Sequence, residues 1–237
     1  MAVNMDVVLA EWKARTLAEY RCASVAGETL TWLVRLGFSS DVVQQAHKLL
    51  GDELDHADLC WEVYVALGGE EDPLDCAEGS LCIPHAFGAP TFDRLVLFVL
   101  DHYCVAGTVA APLFEAMQEK VSKREPKAAV ARLAKDTRRH ADFGWAVLDE
   151  AIEQDASYVL DLAKKHLPTY LSRVEAAWGS IPRGWKEPVG PEEGKFGLIP
   201  RAVYKRCLYQ VMAETVLPEL DARNLPGREA WANRSKG

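Results

Sequence analysis

Gly51-Asp52-Glu53-Leu54-Asp55-His56-Ala57-Asp58-Leu59-Cys60-Trp61 carries Glu-x-x-His in a segment with no Gly or Pro for sixteen residues after Gly51. On a helix, residues three apart share a face, so Glu53 and His56 point the same way, with Asp52 on the flank. A related stretch, Lys135-Asp136-Thr137-Arg138-Arg139-His140-Ala141-Asp142-Phe143-Gly144-Trp145, repeats Asp-x-x-x-His-Ala but has Thr137 where the first has Glu53. Two such segments predict two long helices, each with its carboxylate and imidazole on one face.

Working outward, the periodic recurrence of Trp12, Leu17, Val25, Trp32 and Leu36 predicts a first helix over about 5–36, stopped by Gly37. Ser39-Ser40-Asp41 supplies N-cap chemistry for the second, which ends at Gly68-Gly69. Residues 69–90 are rich in Gly, Pro and acid, and a connection that long reads as a lid or a crossover. A third helix is expected from Thr91 to about 121, bent at Pro112. A fourth spans about 126–154, and a fifth, capped by Ser157 and kinked at Pro168, runs to about 178. Irregular chain over 179–199 precedes a last helix over about 200–223, and the tail after Pro226 is expected to fray. With no strand pattern the fold class is all-α. It divides into a core over 1–156, two helical hairpins joined by the 69–90 crossover, and C-terminal helices over 157–237 packed on the same domain.

The net charge of −8 and the lack of long basic runs argue against nucleic acid or an anionic membrane as partner. No apolar stretch is expected to span a bilayer and no signal peptide is evident at the start. Cys22, Cys60, Cys104 and Cys207 fall in helical patterns, which reads as a reduced, cytoplasmic protein with buried thiols. Cys76 and Cys82 share a loop, but their spacing is not that of a zinc site. A homodimer is left open.

The two motifs resemble those of the di-iron ferritin-like superfamily, in particular bacterial ferritin-like domain proteins that carry Asp-Glu-x-x-His-Ala twice. Asp52-Glu53-x-x-His56-Ala57 fits fully, and Asp136-x-x-x-His140-Ala141 fits except for its Glu. The resemblance implies a ferritin-like four-helix bundle with a C-terminal helical extension. It also implies half-sites that each join a Glu on one helix to Glu-x-x-His on its partner. The Asp preceding each motif, Asp52 in the first, would bond the His of the opposite half.

Counting along the hairpins locates the remaining ligands. A first turn near 38–39 puts Arg21-Cys22-Ala23-Ser24 level with Glu53 and His56, with no carboxylate there and Glu19 and Glu28 a turn or so away. A second turn near Arg124 puts Gly107 where the family pattern has Glu. On this count Arg21, Gly107 and Thr137 replace three of four carboxylates, too few to offset two ferrous ions. The chain then reads as a small-molecule tailoring enzyme without metal cofactor. Glu53, His56, Asp136 and His140 would be its acid/base groups for a cyclisation, rearrangement or elimination. Arg21, Tyr103, Gly107 and Thr137 would line the substrate pocket. A mononuclear non-haem iron oxygenase using Glu53, His56 and His140 is the first alternative, and a non-catalytic binding protein with a vestigial site the second.

Overall fold

The structure is a computed structural model and describes residues 2–70, 76 and 81–234. The described residues form helices and no strand, so the all-α expectation holds. Helix α1 (Met5–Arg35) ends at Gly37, whose φ of 73° lies in the left-handed region that glycine tolerates. Ser39 caps α2 (Ser40–Ala66) by accepting from the Val42 N–H at 3.4 Å. Helices α3 (Thr91–Phe98) and α4 (Thr108–Gln118) are joined without a break by a π-helical segment, Val99–Gly107. Helix α5 (Arg124–Val174) absorbs both the fourth and the fifth expected helices. They meet at Asp155, where φ −157° and ψ 86° break the helical path. Asp155, not Ser157, supplies the cap, accepting from the Tyr158 N–H at 3.0 Å.

Helix α1 packs along α2, α2 on α5, and α5 on both the π segment and α4. Gly144 on α5 is what allows the π segment so close: a Cβ there would lie 2.3 Å from Tyr103 Cβ. Further on, α6 (Pro191–Gly194), α7 (Arg201–Val211), a π turn (Met212–Val216) and α8 (Leu217–Ala222) follow. The tail expected to fray instead forms α9 (Gly227–Asn233), which packs on α5 with Ala230 buried. Arg234 holds it in place by stacking on Trp231 and pairing with Glu175.

Irregular chain before α7 is likewise tied down. Trp12 Nε1 donates to the Phe196 carbonyl and Arg15 Nη2 to that of Gly197, both at 3.0 Å. The buried Glu193 accepts from the Asn4 N–H at 2.7 Å. Of the 69–90 crossover, residues 71–75 and 77–80 lie outside the described residues.

One expectation needs correcting. The helix Thr91–Gln118, expected from the sequence as one element, is long and apolar enough to cross a membrane by length and composition. In the structure 67% of its most apolar window is buried inside the protein.

Candidate functional site

Helix α2 delivers Asp52, Glu53 and His56 to one buried cluster, and α5 delivers Asp136 and His140. The spacings of three and four residues put each set on a single face. The two imidazole centroids lie 5.6 Å apart.

The two rings are held alike. His56 Nε2 donates to Asp136 Oδ2 at 3.1 Å, and His140 Nε2 faces Asp52 Oδ2 at 3.5 Å. Each Asp thus grips the imidazole of the opposite helix. Arg132 and Arg139 close the outer side by pairing with both carboxylates: Arg139 Nη1 lies 3.0 Å from Asp136, and Arg132 Nη2 lies 3.3 Å from Asp52. Fixing Nε2 in this way turns both Nδ1 atoms inward. His140 Nδ1 meets Glu53 Oε1 at 3.0 Å, and His56 Nδ1 meets Glu53 Oε2 at 3.6 Å. Glu53 therefore sits between the two rings, one oxygen to each.

Helix α1 adds a carboxylate that counting from residues 38–39 excluded. Glu19 Oε2 lies 3.7 Å from His56 Nδ1. The connection between α1 and α2 is centred between Gly37 and Phe38. Glu19 and His56 are equidistant from that point, as are Cys22 and Glu53. Two residues of slip rotate a helix by about 200°, enough to exchange its inner and outer faces. Arg21, expected inside, is accordingly exposed. One terminal oxygen of Glu19, one of Glu53 and the Cys22 sulfur all lie within 4.8 Å of one another.

The second half has nothing equivalent. Thr137 turns its hydroxyl back to the Leu133 carbonyl at 2.8 Å. Gly107 lies against Ala141, where an added Cβ would make only ordinary contacts at 3.4–4.0 Å. Tyr103 is buried among the rings of Phe98, His102 and Phe143, a packing position, and burial pushes its hydroxyl well above the usual range. His102 brings Nε2 to 3.9 Å from Cys22 Sγ and stacks on Phe98. His85 pairs with Asp101 at 2.8 Å, away from this centre.

Protonation follows from the charges. Burial pushes the Glu19 carboxyl up to about 7, with the nearby Glu53 charge adding to the rise and His56 opposing it. Burial would lower His56, but Glu19 and Glu53 outweigh it and push the imidazole up to about 10. Glu53 is held well below the usual carboxylate range, its burial overcome by hydrogen bonds from His140 and His56. Asp136 is also lowered, since His56, Arg132 and Arg139 outweigh its burial.

Without metal, then, the cluster holds a cationic imidazole against the Glu53 carboxylate, with the Glu19 carboxyl beside it titrating near neutral pH. A divalent cation would take the same place. Separations of 3.6 and 3.7 Å from His56 Nδ1 to the two carboxylate oxygens suit neighbouring ligands around one ion, with bonds of about 2.1 Å. Glu19, Glu53 and His56 therefore fit a single ion, and His140 Nδ1 bonds the other oxygen of Glu53. No protein-family model, curated protein or solved structure matches this chain.

Proposed function

We propose that this chain is a small-molecule tailoring enzyme built as a ferritin-like four-helix bundle with a C-terminal helical extension. Its centre would be a single divalent metal ion held by Glu19, Glu53 and His56, with His140 alongside. What supports the metal over the metal-free reading is one observation: the Glu19 carboxylate lies 3.7 Å from His56 Nδ1. That restores a carboxylate the metal-free reading took to be lost. Both carboxylates lost from the second half leave it too poor in charge for a second ion.

Such an ion, when bound, supplies Lewis-acid polarisation and, if it is iron, one-electron chemistry. The protein's own residues do the rest. Asp136 and Asp52 orient the imidazoles, and Arg132 and Arg139 balance the buried aspartates. Asp52, Glu53, His56, Asp136 and His140 are all buried, which keeps bulk water from the cluster. The substrate would be a small organic molecule rather than a nucleic acid, against which the net charge of −8 argues.

Metal analysis of protein purified without chelator tests this. One equivalent per chain is expected, lost in Glu19→Ala, Glu53→Ala and His56→Ala. Two equivalents with the absorption of an oxo-bridged pair, or none, would overturn it.

The metal-free acid/base reading keeps one observation in its favour: a Glu19 carboxyl near 7 beside an imidazole suits proton transfer at neutral pH. Turnover that survives exhaustive chelation but falls about 10²–10⁴-fold in His56→Gln would establish it instead.

A further inference from the structure

We infer that Cys22 is a metal ligand. The first hairpin by itself would then offer two carboxylates, a thiolate and an imidazole to one borderline-soft divalent cation. This rests on the metal reading above and extends it to a residue that reading does not use.

Glu19 and Cys22 lie three apart on α1, and Glu53 and His56 lie three apart on α2. Two such pairs on antiparallel helices put the two carboxylates across one diagonal and Cys22 and His56 across the other, so each carboxylate neighbours both the sulfur and the imidazole. The Cys22 sulfur lies within 4.8 Å of a Glu19 oxygen and of a Glu53 oxygen. Its remaining neighbour is His102 Nε2 at 3.9 Å, brought there by the π segment. In its Nε2–H tautomer His102 would donate to a metal-bound sulfur at this position, as hydrogen bonds around a metal commonly do for its ligands. Cys60 and Cys104 are fully buried and belong to the hydrophobic core.

A sulfur ligand has a consequence for the kind of ion. Oxygen-only sites suit Mg²⁺, Ca²⁺ and Mn²⁺, whereas a thiolate shifts the preference toward Zn²⁺, Co²⁺ and Fe²⁺. On binding, a metal–sulfur bond forms and the thiol proton passes to solvent, with no change of oxidation state.

Cobalt makes the sulfur visible. Metal-free full-length chain is titrated with Co²⁺ alone and followed by absorption. The expected result is one equivalent bound, with visible d–d bands and a near-ultraviolet sulfur-to-cobalt charge-transfer band. Cys22→Ser keeps the d–d bands and loses the charge-transfer band, whereas Cys60→Ala retains both. A second measurement needs no variant: Co²⁺ should protect one thiol from alkylation, identified as Cys22 by mass spectrometry. Cobalt bound without the charge-transfer band, a band that survives in Cys22→Ser, or protection of a different cysteine would each overturn the inference and leave the Glu19–Glu53–His56 centre standing. No cobalt bound by wild type would overturn the metal reading as well.

Discussion

In the first hairpin, Glu19 and Cys22 on α1 face His56 and Glu53 on α2. In the second, Gly107 and Thr137 occupy the corresponding places, and His140 alone reaches inward to Glu53. The framing is the same on both sides, with each imidazole held through Nε2 by an Asp from across the cluster. What differs is the charge inside the frame. His140, with no carboxylate from its own hairpin beside it, fills space and faces Asp52, so the second half is packed without a carboxylate pair of its own. The Asp–His frame therefore does not depend on a carboxylate pair inside it.

Four experiments break or sharpen this contrast. The largest effect is expected for Glu53→Ala, which removes the carboxylate shared by both rings. Metal affinity measured against a competing chelator should fall about 100-fold or more, whereas Arg21→Ala, on the exposed face, should change nothing. If the Arg21 variant loses as much as the Glu53 variant, the alignment of α1 is wrong.

The converse change is to rebuild the second half. Thr137→Glu with Gly107→Glu should raise the stoichiometry from one ion toward two by elemental analysis. An unchanged stoichiometry in a folded double variant would mean that more than charge separates the halves.

Third come the two glycines facing each other's helices. Gly144→Ala should cost about 1–3 kcal/mol in chemical denaturation, because its Cβ would collide with Tyr103. Gly107→Ala should be neutral or stabilise by up to about 1 kcal/mol, since its Cβ meets only ordinary contacts. Equal costs at both would show that the π segment tolerates no side chain on that face.

The smallest effect is a slope with pH in the metal-free protein. The His56 imidazole is pushed from 6.5 up to about 10 on folding, so its stabilising contribution is complete below pH 6.5 and gone above about pH 10. Melting temperature should therefore fall across that window, and His56→Gln should flatten the fall. An unaltered slope in the variant would assign it to other groups.

Much of this was legible beforehand. Periodicity and capping located α1 and α2 within a residue or two, and Asp-x-x-x-His-Ala placed Asp52, Glu53, His56, Asp136 and His140 on facing helices. Three things were hidden, each for a physical reason. Glu19 was missed because a helix changes face within two residues, finer than a turn can be placed by eye. His102 was hidden by the π segment, since periodicity templates assume α geometry and a wider turn moves every later residue round the axis. Arg132 and Arg139 carried a signal, being four before and three after Asp136, but charges on a helix face are usually solvated. Only the structure shows these two bonded to buried aspartates.

The clamp of Trp12 and Arg15 onto residues 196 and 197 bears on the order in which the molecule forms. Those bonds span separations of 184 and 182 residues, so α1 gains its final anchorage only after nearly the whole chain has been made. Contacts of such long range close late and slow the search for the native state. On the ribosome, the helix bearing Glu19 must wait, paired only with α2, until residues 193–197 emerge and lock it in register. The facing of Glu19 and His56 thus rests first on the local pairing of α1 with α2, and residues 193–197 add the last tether on the α1 side.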